Sequence, residues 1–206
     1  MTDRSGLFGC RAIRGPETRR NGANQMNSFD DLRAKYPRLI SSDFGFECGI
    51  GWLGILDRYF GEVDALLPAD IEWSNRQIKE KFGTLRLYCE ALWPGKKPTA
   101  LFAIDVLNVG LSHRREGDDG EYAEIDKKLA WARYLAEGRS GYVCENCGKR
   151  GRLLLSGGWY HTACDEHAQD GEPVVGEAVL TFEDKRYRFD PDLDDLVEIE
   201  GEADDE

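Results

Sequence analysis

The chain has no long apolar run: no stretch of its 206 residues approaches the roughly 18 consecutive apolar residues that a membrane span needs. The first 25 residues hold five arginines against two acids, but none of the apolar core of a secretory signal. These absences predict a cytoplasmic protein, in which thiols stay reduced and six cysteines suggest a metal site sooner than a disulfide framework. Histidine is scarce at three residues, and the familiar catalytic patterns are missing: no phosphate-binding Walker loop, no HExxH, and no HxE with PCxxC. His113 lies outside the metal pattern described below, beside Arg114 and Arg115 in an expected loop. Glu47 and Cys48 could pair, but without the spacing of a nucleophile motif. A non-enzymatic protein is therefore the first expectation.

Basic residues are absent from Asp190 to Glu206, where ten acids stand. Removing them from the net charge of −12 leaves about −2, so the body is near neutral and has room for a cationic patch. The apolar fraction of 41% and 22 aromatic residues are enough for a folded core of one domain or two small ones.

Four segments follow from the patterning. Residues 1–25 read as a flexible basic arm, with Met26 an alternative start, and residues 26–141 as an α+β domain. Residues 142–189 read as a zinc module followed by short strands, and 190–206 as an acidic disordered tail. Within the second segment, Leu53, Leu56, Phe60, Val63 and Leu67 recur at helical steps and Pro68 ends that helix. A hairpin is expected over Ile71–Leu92, turning at Phe82-Gly83. An even-length loop puts Ile78, Glu80, Leu85 and Leu87 on one face and Gln77, Lys79, Lys81, Thr84, Arg86 and Tyr88 on the other. The apolar stretch Leu101–Leu111 has no assignment. Glu121–Glu137 reads as a helix stopped by Gly138, and Ala178–Phe189 as two strands around Glu183-Asp184.

The sharpest pattern is Cys144-x2-Cys147, sixteen residues, then Cys164-x2-His167. Gly148 after the second cysteine suits a knuckle whose backbone N–H groups face the thiolates. Ser156-Gly157-Gly158 sits between two strand-like runs, and Cys164–His167 reads as the first turn of a short helix. Knuckle, hairpin and helix start are the parts of a treble clef. Three cysteines and a histidine fill all four positions of a tetrahedral zinc ion, the mark of a structural site. His161 is a spare ligand that could replace His167; Cys10, Cys48 and Cys89 have no partner at ligand spacing.

The even register sets Lys79 directly opposite Arg86, a like-charge pair that weakens a hairpin. Such a face is either solvated or neutralised by the chain's own acids, or it receives an anion or a partner at Lys79, Lys81, Arg86 and Tyr88.

Glu47-Cys48-Gly49-Ile50-Gly51-Trp52, Ile78–Tyr88, and the set Ala136-Glu137, Ser140, Cys144-Glu145-x-Cys147-Gly148, Gly157-Gly158-Trp159 and Cys164-Asp165-Glu166-His167-Ala168 together resemble a family of short uncharacterised proteins of bacteriophages, prophages and bacteria. The resemblance spans about Glu47–Ala168 and leaves out the Lys96–Gly120 insertion and both charged termini. It implies a phage-linked setting, in which small acidic proteins often bind and block host proteins. The expectation is an α+β fold, a helix–β-hairpin–helix core with a C-terminal treble-clef-like zinc module. The protein would act through a protein partner and without a membrane. The alternative is an enzyme or receptor for a nucleotide or nucleic acid, using the cationic hairpin face.

Overall fold

The computed structural model describes residues 26–95, 120, 122–168, 170–174 and 179–199. The expected basic arm, the stretch Leu101–Leu111 and residues 200–206 lie outside these. The described chain mixes helix and sheet: three α-helices and three small antiparallel sheets.

Helix α1 (Phe29–Lys35) starts where Ser28 and Asp31 cap it reciprocally: the Asp31 N–H donates to Ser28 Oγ at 3.1 Å and the Ser28 N–H to Asp31 Oδ2 at 3.0 Å. A 3₁₀ turn (Ile50–Trp52) then leads into α2 (Leu53–Leu66), which buries Leu53, Leu56, Phe60 and Val63 and ends at the extended Leu67 before Pro68. Strands β1 (Glu72–Lys81) and β2 (Thr84–Leu92) form a hairpin in the even register, with Ile78 opposite Leu87, Lys79 opposite Arg86 and Lys81 opposite Thr84. Ile78, Leu85 and Leu87 face the main core, which they share with α1, α2 and α3 (Ala123–Ser140). The outer edge of β2 is satisfied by α3: the Leu85 N–H donates to Ser140 Oγ at 2.8 Å, and the Leu87 N–H to Glu137 Oε1 at 3.0 Å. Glu47 covers the outer edge of β1, accepting from the Glu80 N–H at 2.9 Å and donating to Ile78 O at 2.8 Å.

Gly138 does not stop α3, which runs on to Ser140. A Cβ there would lie 2.7 Å from Cβ of Phe189, so the glycine serves close packing rather than termination. Phe189 lies in β7 (Lys185–Asp190), the middle strand of a sheet with β6 (Val179–Phe182) and β8 (Asp195–Glu198). This sheet packs on α3 through Leu135, Phe189 and Leu196 with Trp131 and Tyr134, a core separate from that of the metal module. Residues 190–199 are therefore not the start of a disordered tail. Leu196 is buried, and Asp194 Oδ1 accepts from Nε of the 7%-exposed Arg139 at 2.6 Å, with Arg58 on its other oxygen. Partial burial raises the Asp194 carboxyl, but the two guanidiniums outweigh it and hold it below the usual range.

Replacing Leu196 by Ala should lower stability by about 2–4 kcal/mol, the usual cost of a buried-leucine cavity. Asp194→Asn should cost about 1–2 kcal/mol at neutral pH, modest because Asp194 is partly exposed. A carboxyl depressed in the folded state contributes stability above its unfolded value, about 3.9, and loses it as pH falls through the folded value. Urea melts at neutral and acidic pH check both points: the difference between wild type and Asp194→Asn should shrink on acidification.

Candidate metal centre

The candidate ligand residues stand on two turns beside a three-stranded sheet. In the first, the Gly148 N–H returns to Cys144 O at 2.9 Å and the Cys144 N–H to Lys149 O at 2.8 Å. The sheet follows as β3 (Arg152–Ser156), β4 (Trp159–Ala163) and β5 (Glu172–Pro173), ordered β4-β3-β5. Gly157 (φ 56°) and Gly158 (φ 87°) close the β3–β4 hairpin in a two-residue turn that calls for positive φ at both positions. Cys164–His167 is the second turn, with the His167 N–H donating to Cys164 O at 2.9 Å. The short helix expected at this point is not formed; the chain turns back and β5 pairs with β3.

Cys144, Cys147, Cys164 and His167 present three Sγ atoms and an imidazole nitrogen, all within 4.8 Å of one another. Cys147 Sγ is 3.7 Å from Cys164 Sγ; His167 Nδ1 is 3.6 Å from Cys144 Sγ and 3.2 Å from Cys164 Sγ. A tetrahedral ion with metal–sulfur bonds of about 2.3 Å places its sulfur ligands about 3.75 Å apart, so the cage has the size of such an ion. The four residues can hold one metal ion with no position open. His161, the alternative ligand, stands outside the cage, with Nε2 3.4 Å from Ala168 O.

The chemistry of the donors agrees with the geometry. Burial pushes the Cys144 thiol up, but backbone N–H groups of Cys164, Cys147 and Asn146 outweigh it and bring it down to about 6. Cys147 moves the other way. The Lys149 N–H lowers it, yet partial desolvation and the neighbouring sulfurs of Cys144 and Cys164 raise it on balance. A thiolate at the first position thus resists ionisation of the next, a conflict that a bound cation removes. On the rim, Lys149 Nζ meets Glu166 at 2.7 Å and Arg152 meets Asp165 at 2.6 Å, linking the two turns through exposed pairs of small energetic weight.

The first turn is gripped from outside by Gly49-Ile50-Gly51. The Gly51 N–H donates to Glu145 O at 2.7 Å, the Gly49 N–H to Glu145 Oε1 at 2.8 Å, and Trp52 Nε1 to Val143 O at 2.8 Å. A Cβ on Gly51 would lie 2.2 Å from Cys144 O and 2.6 Å from Gly148 N, distances that no side chain can occupy. The β1–β2 hairpin tip docks on the other side: Thr162 Oγ1 donates to Gly83 O at 2.6 Å, and a Cβ on Gly83 would collide with Leu153. Gly49–Trp52 and the β1–β2 tip thus hold the Cys3His module at two places, its first turn and its sheet.

Cys48 and Cys89 pack, partly buried, against the main core. Burial, reinforced by the Glu145 charge, pushes Cys48 up to about 12, and burial pushes Cys89 to about 12. Both are neutral at physiological pH, which removes the basis for a Glu47–Cys48 pair. The Glu47 carboxylate instead accepts from Gln77 Nε2 at 2.8 Å.

Lys79, Lys81, Arg86 and Tyr88 lie together on the outer hairpin face, but Tyr88 is buried and its ring forms a shelf 5.1 Å below Lys79 Nζ. It is not free for stacking on a ligand. Arg86 Nη1 donates to Thr84 Oγ1 at 2.6 Å and to Leu85 O at 2.8 Å. The exposed aromatic residues nearby are Phe82 and Tyr160, of which the hairpin face alone gave no sign. In comparisons with protein-family models, curated proteins and solved structures, the chain matches none.

Gly51→Ala should destabilise the protein by several kcal/mol, since the added methyl has only backbone to displace. It should also weaken metal retention. Gly54→Ala, in the first turn of α2 with nothing within 4 Å of its would-be Cβ, should instead stabilise by about 0.5–1 kcal/mol. Thermal melts of the two variants, with metal content measured on each, check the contrast.

Proposed function

We propose that the protein is a non-enzymatic interaction module whose fold is stapled by one structural zinc ion. We further propose that it serves in a phage-linked setting to regulate or inhibit a host or phage component. The observation that carries this reading is the Cys3His cluster: its four donors suffice for a tetrahedral ion, which would then have no position left for water or substrate. Three thiol donors with one imidazole favour zinc among the common divalent ions. We read the architecture as a helix–hairpin–helix core locked by a module that has the knuckle and hairpin of a treble clef, with a turn in place of its helix. The phage-linked setting rests on the three resembling segments, and the contacts of the first two with the Cys3His module give a physical reason for such segments to occur together.

A second reading, a receptor or enzyme for a nucleotide or nucleic acid, has its own support. Among the described residues neither Lys79 nor Arg86 has an acidic partner, although they face each other across the strands.

Purified protein should carry one zinc per chain, and Cys164→Ser should lose it together with cooperative unfolding, because structural zinc contributes folding free energy directly. Zinc-free protein, or a stable metal-free Cys164→Ser, contradicts the reading. The double variant Lys79→Glu, Arg86→Glu should stay folded and keep its zinc while losing its biological effect. Lys79 and Arg86 are half-buried, and replacing one like-charge cross-strand pair by another changes stability by about 1 kcal/mol. Full activity in that variant would place the functional surface elsewhere. Specific binding of mononucleotides to the wild type, lost in the variant, would favour the second reading.

A further inference from the structure

Phe82 occupies a position unsuited to its residue type. It is the first of two residues closing the β1–β2 hairpin, with φ 54°, and Gly83 follows at φ 75°. That turn favours Asn, Asp or Gly at its first position, and a bulky residue there is strained. The ring is not hidden in exchange, being 62% exposed. It stands edge-to-face with Tyr160 of β4, ring centres 6.3 Å apart, and Tyr160 is itself 41% exposed. Leu155, opposite Tyr160 in the sheet and 37% exposed, completes the cluster. The tip of the β1–β2 hairpin is thus fastened to β4 by the Thr162–Gly83 hydrogen bond, and three apolar side chains are displayed at the junction.

This cluster continues into positive charge. Lys81 Nζ lies 5.6 Å over the Phe82 ring, and Lys79 faces Arg86 about 10 Å down the strand, at the usual rise per residue. Lys79 and Arg86 differ in this from many described cations that meet acids, such as Lys35 with Asp57, Arg139 with Asp194 and Lys185 with Glu198.

We propose that Phe82, Tyr160 and Leu155 form the docking surface for a segment of a partner protein. That segment carries an apolar anchor for the aromatic junction and carboxylates for Lys79 and Arg86. The inference rests on the reading of the protein as an interaction module and supplies the chemistry of the partner. A small exposed centre rich in aromatic side chains with arginine beside it is the composition of a protein-binding hot spot. The charges select an acidic partner by complementarity. A nucleic acid fits less well, because a phosphate backbone carries a charge at every nucleotide and draws its affinity from many cations, whereas this face sets Lys79 and Arg86 beside an apolar centre. Trp159, 80% exposed, alternates with Tyr160 onto the opposite face of β4 and lies outside the surface.

The decisive variant is Phe82→Gly, which removes the ring while placing at positive φ the residue that tolerates it best. A displayed library of random short peptides is selected on the immobilised full-length, zinc-loaded protein, and the recovered sequences are synthesised with a fluorescent label for anisotropy titration. Recovered peptides should combine a large apolar residue with flanking Asp or Glu. Their affinity should fall about tenfold or more in Phe82→Gly, in Tyr160→Ala and in Lys79→Glu, Arg86→Glu. It should stay unchanged in Trp159→Ala. Phe82→Gly should keep its zinc and melt at or above the wild-type temperature. Three results overturn the proposal: no enriched peptide, peptides that bind Phe82→Gly as well as wild type, or equal losses in Trp159→Ala. Tight binding of a labelled single-stranded oligothymidylate that depends on Phe82 and Lys79 also overturns it, in favour of a nucleic-acid ligand. Zinc content and melting temperature are read on the same samples. A failure of peptide binding in zinc-loaded, folded protein therefore counts against this surface alone, whereas zinc-free or unfolded protein counts against the module itself.

Discussion

Three thiols and an imidazole gathered within 4.8 Å are the constraint on which the remaining structure turns. Around them the module buries little beyond Cys144, Leu154, Ala163 and Cys164, far too small a core to hold two turns and a three-stranded sheet in place. Unligated, the donors oppose one another electrostatically; around a divalent cation they become the strongest contacts in the region. The backbone of the first turn then becomes a rigid template against which other parts of the chain are cut to fit. Gly49 and Gly51 lack side chains because Glu145 O, Cys144 O and Gly148 N occupy that space.

From this anchor the architecture follows outward. Gly51 and Trp52 fix the start of α2 on the first ligand turn, and Gly83 fixes the β1–β2 tip on the sheet beside the second. Helix α3 ends at Ser140, only four residues before Cys144, and its Ser140 and Glu137 side chains satisfy the edge of β2. The C-terminal sheet is tied in separately, through Phe189 against Gly138 and Asp194 between Arg58 and Arg139. The hairpin tip is therefore held at a fixed place beside the module, and this rigidity allows a strained Phe82 to persist at φ 54°.

How much of this could be read from residues alone depends on how local each signal is. The gathering of Cys144, Cys147, Cys164 and His167 was legible because a CxxC or CxxH turn fixes donor spacing by itself. The even register of β1–β2 was legible because alternation and a two-residue turn determine it. The stripe of α2 stood out by its helical period. Helix α1 escaped notice, although Ser28-x-x-Asp31 is a readable capping box, because seven residues show too little period. Strand β8 was hidden by its acids: Leu196 and Val197 are a faint apolar signal among ten carboxylates, and the partner of Asp194, Arg139, lies 55 residues away. Gly138 was misread as a stop because a sequence shows a glycine but not the Phe189 ring packed against it. The meeting of Phe82 with Tyr160 was beyond reach for the same reason, since it exists only once two distant hairpins dock.

The central claim is that one zinc ion holds these parts through three sulfurs and one nitrogen. X-ray absorption at the zinc edge of the purified full-length protein tests this most directly. The account predicts a four-coordinate shell of three sulfur scatterers at about 2.3 Å and one nitrogen at about 2.0–2.1 Å. A shell dominated by nitrogen and oxygen, a water ligand in place of a thiolate, or no bound zinc would contradict it.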